Sequence, residues 1–223
     1  MKIITSFFLL FSCTIFAQKH YTFDYAIEYK RYCKKACDDE TFFFLTNSKD
    51  NSYFVRLTNK DSLEYKILFI DQNGNSSRTS VFKDSLHLAE YINIPCNNVG
   101  KYRNPYKKRV KDYDFENLKD TLINGEYYSF YKFKYLKGER KKRRKKIGEL
   151  QYIIQDSTEF HTPILYLATA YEEWLQKKNI PNGIIKEKIH LGYKNDTLYK
   201  EKLVRYKKIN KTIVIQDSCN NSH

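Results

Sequence analysis

A run of alternating side chains near the start of the chain constrains the fold more than any other stretch. Between Tyr21 and Lys30, the residues Tyr, Phe, Tyr, Ile and Tyr alternate with Thr, Asp, Ala, Glu and Lys. Successive side chains of a β-strand point to opposite faces of the sheet, so this pattern predicts a strand with one apolar and one solvated face. Such strands are typical of antiparallel sheets, which commonly bury one face against a core.

Further short strands and turn signals follow along the chain. Asn73-Gly74 and Asn124-Gly125 predict hairpins, because the favoured two-residue turns need residues that accept positive φ. The 20 Tyr and 15 Phe, against only 7 Gly, also favour strands. Segment 86–93 fits either a strand or a short helix, and 95–111 is predicted to be an irregular loop. Strands are predicted at 41–46, 53–58, 63–71, 79–83, 113–123, 127–136, 147–156, 184–191, 197–206 and 209–216.

One amphipathic helix is predicted at 163–178. Thr162 is a candidate N-cap, and Pro163 suits the first helical position. Apolar residues follow at helical spacing, and the breakers of Asn179–Gly183 end the pattern. The predicted fold class is therefore mainly β: a curved antiparallel sheet or half-barrel with this one main helix packed on its apolar face.

The first 17 residues have the plan of a secretory signal peptide. Lys2 precedes an apolar run, and the small residue Ala17 precedes a polar segment. The run is too short to span a bilayer as a helix. A lipoprotein signal cut before Cys13 is the alternative, which the bulky Phe11 disfavours. We expect a signal peptide at 1–17, a single β-rich domain at 18–223 and no transmembrane segment in the mature chain.

Four cysteines remain after the expected signal peptide: Cys33, Cys37, Cys96 and Cys219. In an exported chain this even number allows two disulfides in three connectivities. The favoured pairing joins Cys33 to Cys37 as a local link and Cys96 to Cys219 as a long one. Free thiols are the alternative.

A run of seven basic residues lies between two strands that are predicted to pair. Because like charges repel, we expect a hairpin tip that projects into solvent. With a net charge of +14, the tip suggests an anionic partner such as lipid head groups or acidic glycan. A solvated loop without a dedicated partner is the alternative, and nucleic acid is disfavoured because the tyrosines alternate as core residues do. The candidate anion-binding residues are Arg140, Lys141, Lys142, Arg143, Arg144, Lys145 and Lys146.

An Asp-Ser or Asp-Thr pair followed by Leu or Thr recurs five times. The pattern resembles the O-glycosylation acceptor pattern of exported Bacteroidota proteins, and turn chemistry is the alternative, because these side chains also bond to local backbone. The candidate acceptors are Ser62, Ser85, Thr121, Ser157 and Thr197.

Catalytic and metal-binding patterns are not found in the sequence. The five histidines are scattered, and Glu172 and Glu173 are adjacent on the predicted helix, so they do not face each other. Cys33 and Cys37 have neither redox nor zinc spacing. His161 could line a pocket, but a structural role is favoured. No catalytic residue, metal or cofactor is predicted, and we expect a protein that is not an enzyme.

Two resemblances follow from these features. The signal ending Phe16-Ala17-Gln18 and the tyrosine-rich alternating strands resemble small secreted Bacteroidota proteins of the GLPGLI type, which implies export to the periplasm or outer surface of a Gram-negative bacterium. The namesake motif is absent, and segment 180–185, Ile-Pro-Asn-Gly-Ile-Ile, is the nearest local analogue. The plan of sheet plus helix is similar to LolA/LolB-type lipoprotein carriers, in which a curved sheet shelters acyl chains.

The predicted function is non-catalytic binding of a lipid or other apolar ligand in the envelope. Candidate wall residues of a concave site are Tyr171, Trp174, Tyr25 and Ile27, and a plain core role is the alternative. A second hypothesis is a surface protein that holds acidic glycan or lipopolysaccharide through the basic tip. A secreted hydrolase is a third.

Overall fold

The computed structural model describes residues 18–34, 37–102, 104, 106–216 and 219. The signal peptide predicted at 1–17 lies outside these residues and stays a prediction. The described chain forms a twelve-stranded sheet, a separate two-stranded hairpin and three α-helices. The predicted mainly β fold class is confirmed.

The elements follow one another along the chain with short connections. The strands are β1 Gln18–Cys33, β2 Glu40–Thr46, β3 Tyr53–Asn59, β4 Glu64–Asp71, β5 Asn75–Phe82, β6 Tyr91–Asn93, β7 Val99–Lys101, β8 Tyr113–Asn117, β9 Thr121–Ile123, β10 Glu126–Tyr128, β11 Phe130–Tyr135, β12 Glu149–Gln155, β13 Ile184–Leu191 and β14 Thr197–Gln216. The helices are α1 Lys83–Leu88, α2 Glu139–Arg144 and α3 Ala168–Lys177, and tighter helical turns lie at Cys96–Asn98, Lys107–Asp112 and Asp156–Thr158.

The large sheet has the strand order β7-β5-β4-β3-β2-β1-β14-β13-β12-β11-β8. All these neighbours are antiparallel, and β6 adds a short parallel pairing beside β14. Within the described residues the end strands β7 and β8 do not pair, so the sheet is open rather than a closed barrel. β9 and β10 form the separate hairpin.

The long strands β1 and β14 pair at the centre of the sheet. Gln18 lies opposite Gln216, and Cys33 lies opposite Tyr199. β14 carries an extra residue at two points of this pairing, opposite Phe23–Tyr25 and opposite Glu28–Tyr29. Such bulges bend a strand and increase its twist. The two strands predicted at 197–206 and 209–216 are therefore one strand, whose alternation is interrupted where the first bulge falls.

Apolar clusters lie on both faces of the sheet. Ile27, Phe44 and Arg56 lie opposite one another across β1, β2 and β3, so their side chains share one face of the sheet. We call this face the inner face. One inner cluster packs around α3 and a second around β1 to β3. The opposite, outer face carries a third cluster, which residues of α1 and of segment 92–99 cover.

The main helix is shorter than predicted. It begins at Ala168 instead of Pro163, and Leu167 occupies the cap position that Thr162 was expected to take. The preceding residues form no helix, and Ile164 and Leu165 are buried in the two inner clusters. The helix ends as the breakers predict, with Lys178 in the left-handed region at a φ of 50°.

Several strand boundaries also differ from the prediction. The strand predicted at 127–136 is interrupted at Ser129, and Tyr127 on the short strand β10 is exposed. Segment 86–93 contains both alternatives, the end of α1 and then β6. The Asn124-Gly125 turn is confirmed, with φ values of 53° and 87°.

Both favoured disulfides are formed, Cys33–Cys37 and Cys96–Cys219. The second spans 123 residues and ties the layer over the outer face to the segment that follows β14. On a chain-entropy account, closing so long a loop stabilises the fold by about 4–5 kcal/mol.

A candidate ligand-binding cleft on the inner face

The four predicted wall residues do not share a cavity in the described structure. Tyr171 and Trp174 are buried in the cluster around α3, whereas Tyr25 and Ile27 are buried in the cluster around β1 to β3. Tyr25 also lines a separate open pocket beside Phe160 and Tyr206. The role of these four residues as a ligand wall therefore stays a prediction, with a core role as its alternative.

An open space lies instead between the two inner clusters. This central cleft has a volume of about 310 Å³. Strands from both halves of the sheet line it, and the segment that leads into α3 lies beside it. Its lining includes Arg31, Phe44, Arg56, Gly148, Glu149, Leu150, Tyr166, Leu167, Lys188, His190, Leu191, Leu198, Tyr199 and Glu201.

A row of three charges crosses the floor of the central cleft. Arg31 lies opposite Glu201 on β14, and Glu201 lies opposite Lys188 on β13. The guanidinium of Arg31 donates to one carboxylate oxygen from Nη2 at 2.6 Å, and Lys188 pairs with the other oxygen. Burial alone raises the pKa of Glu201, but Lys188 and Arg31 outweigh it and lower the pKa to about 2. Glu201 is therefore ionised at neutral pH.

Two buried nitrogen atoms in the lining have no hydrogen-bond partner among the described residues. One is Nε of Arg56, whose Nη2 pairs with Glu40 at 2.8 Å. The other is Nε2 of His190, whose ring stacks on Tyr199 with centroids 4.0 Å apart. Buried polar atoms are normally paired, and leaving one unpaired costs about 1–3 kcal/mol. A bound molecule with acceptor oxygens could pair with both.

The His190 imidazole is neutral. Burial lowers its pKa to about 3, with a further contribution from the charge of Lys188. A neutral imidazole can either donate or accept one hydrogen bond at Nε2. The permanent positive charge available to a ligand therefore comes from Arg56 and from the row around Glu201, and His190 adds a polar contact.

The rest of the lining is largely apolar. Phe44, Leu150 and Leu198 contribute aliphatic and ring surface, and Tyr166 and Leu167 keep more than a third of their surface exposed. The Tyr166 ring lies 6.4 Å from that of Phe44, measured between centroids. The cleft thus combines an apolar wall with cationic groups at its floor, an arrangement suited to an amphipathic anion.

The predicted basic tip has a different structure from the one expected. Five of its seven residues lie in the helix α2, and Lys142 is only 1% exposed. Lys142 pairs with Glu149 at 2.9 Å and donates to Asn195 at 3.0 Å. The prediction of a freely projecting tip of seven charges is therefore wrong, because one of the seven, Lys142, is buried against the carboxylate of Glu149. The residues Arg140, Arg143, Arg144, Lys145 and Lys146 are exposed, and Lys141 is half-buried.

The candidate O-glycosylation residues lie at or near the surface. Ser62, Ser85 and Ser157 are exposed, whereas Thr121 and Thr197 are half-buried. At the first site Asp61 accepts backbone hydrogen bonds at 2.8 Å from the two residues that follow Ser62, so turn chemistry accounts for that pair. Glycan attachment stays a prediction.

The cleft residues were not predicted from the sequence. They come from β1, β2, β3, β12, β13 and β14, and no local motif joins them. One signal was present in Arg31, which continues the apolar phase of Tyr25, Ile27 and Tyr29 with a charge. A charged residue in a buried phase requires a partner, which the structure supplies as Glu201.

The described residues contain neither a membrane-spanning helix nor a metal-binding cluster. None of their helices combines the length and the hydrophobicity that crossing a bilayer requires. No group of three or more His, Cys, Asp or Glu side chains in that part of the chain is placed to hold a metal ion.

Comparisons with known proteins give distant likenesses. No protein-family model and no curated protein matches the chain. An uncharacterized conserved protein from Thermus thermophilus is similar at 6% identity and a TM-score of 0.45, over 90% of this chain and 85% of that one. A chain of the Pseudomonas aeruginosa MucA/MucB complex is similar at 6% identity and a TM-score of 0.44, over 84% of this chain and 52% of that one. The chain thus spans about half the length of that protein.

A LolA superfamily protein from Nitrosomonas europaea is also similar, at 11% identity and a TM-score of 0.30, over 83% of this chain and 85% of that one. It belongs to the superfamily that the sheet-plus-helix plan resembles. With such identities and TM-scores, these likenesses assign neither a family nor a function. The resemblance to GLPGLI-type proteins stays a prediction.

Proposed function

We propose that the protein is an exported, non-catalytic binding protein of the bacterial envelope, whose central cleft takes an apolar molecule that ends in an acidic group. The observation that carries this proposal is the pair of unpartnered nitrogen atoms, Arg56 Nε and His190 Nε2, in the lining of a largely apolar cleft. Their desolvation is a cost that an acidic ligand would offset.

The charges of the lining support an anionic ligand. Arg31 and Lys188 pair with Glu201, and Arg56 pairs with Glu40, which also contacts Arg31, so these three cations meet two carboxylates. The other lining carboxylate, Glu149, already pairs with two lysines outside the lining. A carboxylate or phosphate would therefore meet an excess of positive charge. Arginine suits such groups, because its planar fork of donors matches their oxygen atoms.

The size of the cleft supports a ligand that is only partly enclosed. Its 310 Å³ lie at the lower end of the range for small-molecule sites. A long acyl chain would extend past the enclosed part and lie along the exposed surfaces of Tyr166 and Leu167. This arrangement favours a ligand that the protein can accept and release without unfolding.

The two disulfides support export. Such bonds persist in oxidising compartments, which include the bacterial periplasm and the cell surface. The location in the periplasm or at the outer surface is part of the proposal.

Fluorescence titration of the purified chain with dansylaminoundecanoic acid, and with the corresponding alcohol, tests the cleft. We expect saturable binding of the acid, at least ~10-fold weaker binding in Arg56→Gln, and a smaller effect on the alcohol. Arg109→Gln is the matched control, because Arg109 is exposed and lies outside the cleft. The proposal fails if neither probe saturates, or if both variants bind the acid like the wild type.

A second candidate function is retention of acidic glycan or lipopolysaccharide through α2. The five exposed basic residues at and after this helix support it. Salt distinguishes the two functions, because binding of a polyanion weakens steeply as ionic strength rises, whereas apolar binding persists. Retention on immobilised polygalacturonate at low and high salt is the measurement.

A further inference from the structure

Exposed cations directly precede, in the chain, residues that line the central cleft. Glu139 is the one acidic residue between Lys137 and Lys146. We define the α2 basic surface as the five exposed residues Arg140, Arg143, Arg144, Lys145 and Lys146. The chain that follows them contributes Gly148 and Glu149 to the cleft lining. The basic surface and the cleft are therefore neighbours in the structure.

Buried contacts fix the position of α2 beside the cleft. Lys142 points inward from the helix to Glu149 of β12 and to Asn195 in the turn between β13 and β14. The connection after α2 also lies close to β13, because a Cβ at Gly148 would come within 2.4 Å of the Leu191 carbonyl oxygen. With Lys142 directed inward, the cations of the α2 basic surface are left in solvent.

We infer that the α2 basic surface docks on an anionic phospholipid leaflet, so that the end of the cleft bounded by Gly148 and Glu149 faces the bilayer and the ligand passes between the two. Positive residues clustered on a short exposed helix are attracted to such a leaflet, and their contributions add. A lipid surface is favoured over a soluble glycan because the adjoining cleft is apolar. The transfer part of this inference rests on the proposed function, and the docking part does not.

The docking experiment is co-sedimentation with phosphatidylcholine vesicles, with and without phosphatidylglycerol. We expect binding that needs phosphatidylglycerol and weakens with salt. The variant Arg143→Gln/Arg144→Gln/Lys145→Gln/Lys146→Gln should bind at least ~100-fold more weakly. The matched control removes the same charge from exposed lysines elsewhere: Lys49→Gln, Lys108→Gln, Lys119→Gln and Lys208→Gln. Equal losses in the two quadruple variants would overturn the docking surface, because net charge alone would then explain them.

The transfer experiment follows dansylaminoundecanoic acid from phosphatidylglycerol-containing vesicles to the protein by stopped-flow fluorescence. The wild-type rate should rise with vesicle concentration, and the α2 variant should lose this dependence while it binds the free probe with unchanged affinity. If the α2 variant transfers the probe like the wild type, the inference is wrong. Binding of the wild type to polygalacturonate would then support only the second candidate function. If the wild type binds vesicles but no free probe, the proposed function fails and the docking surface stands.

Discussion

Glu201 accepts hydrogen bonds from both Nε and Nη2 of Arg31, at 3.1 and 2.6 Å, within one face of the pairing between β1 and β14. The side chain of Glu201 is 5% exposed, and that of Arg31 is 19% exposed. Two nitrogen atoms of the guanidinium thus contact the same oxygen of a buried carboxylate. The pair lies at the centre of the sheet and at the floor of the cleft.

Removing the charge of Glu201 should destabilise the fold. Glu201→Gln removes the buried carboxylate that Arg31 and Lys188 share, while Arg31 keeps its contact with Glu40 at 3.3 Å. We expect a loss of about 3 kcal/mol in the free energy of unfolding, measured with urea. Glu28→Gln is the control, because Glu28 pairs with the exposed Arg205, and it should cost less than about 1 kcal/mol. Similar losses in both variants would show that the burial of Glu201 does not determine the cost of removing its charge.

Acid should destabilise the protein through His190 before it does so through Glu201. The folded pKa of His190 is about 3 against 6.5 in the unfolded chain, so the unfolded state binds the extra proton as the pH falls below 6.5. Stability should fall by about 1.4 kcal/mol per pH unit on this account. Glu201 adds a loss below pH 4.5, because its pKa of about 2 is also depressed in the fold.

Urea unfolding at several pH values between 7 and 5 tests the contribution of His190. His190→Gln should show a flatter dependence of stability on pH than the wild type over this range. His161 remains in both proteins and has a pKa that burial lowers, so it cancels in the comparison. Parallel curves for the two proteins would show that His190 is not buried as a neutral group.

A methyl group at Gly148 should be more harmful than one at Gly100. At Gly148 the added Cβ would meet the Leu191 carbonyl oxygen at 2.4 Å, whereas nothing lies within 4 Å at Gly100. We expect Gly148→Ala to cost about 1–3 kcal/mol and Gly100→Ala to cost less. Thermal unfolding of both variants measures the difference, and equal melting temperatures would contradict the close approach of this connection to β13.

The two disulfides should differ in their effect on stability. Loss of Cys96–Cys219, which spans 123 residues, should cost about 4–5 kcal/mol, and loss of Cys33–Cys37, which spans 4, about 2 kcal/mol. The paired Ala variants of each bridge, compared by urea unfolding, give the two values. The opposite order would show that strain or residual structure outweighs loop closure.

Glycan attachment should follow exposure if the Asp-Ser and Asp-Thr pairs are acceptors. We expect hexose-sized mass additions on peptides with Ser62, Ser85 and Ser157, which are exposed, in protein purified from its own host envelope. Thr121 and Thr197 are half-buried and should be modified less. A bare polypeptide mass in intact-mass spectrometry would leave turn chemistry as the explanation of all five pairs.

Local patterns in the sequence predicted the local parts of the fold. Alternation identified β1, the Asn-Gly pairs identified two hairpins, and the cysteine count led to both disulfides. Alternation could not show that Tyr21 and Phe23 join the outer cluster while Tyr25 and Ile27, in the same phase, join an inner one. That change accompanies a shift in the pairing with β14, which depends on residues near the other end of the chain.

The cleft could not be predicted for a related reason. Arg56 and His190 are brought together by the order of strands in the sheet, and each has an ordinary local sequence around it. The tyrosines and the tryptophan that look most like a ligand wall are also the best core fillers, and α3 uses them in that way. A charged residue at a strand position whose alternate neighbours are buried, such as Arg31, is the more informative signal.

The pairing of β1 with β14 also bears on how the chain is made. Each hairpin of β2 to β5 joins strands that are neighbours in sequence, so it can form as soon as both strands have been synthesised. Gln18 can pair only after Gln216 has been synthesised. During synthesis, which starts at the N-terminal end, one edge of β1 therefore stays unpaired until β14 has been made. Completion of the sheet's centre is then the last step of assembly, and the half-built protein remains open until that moment.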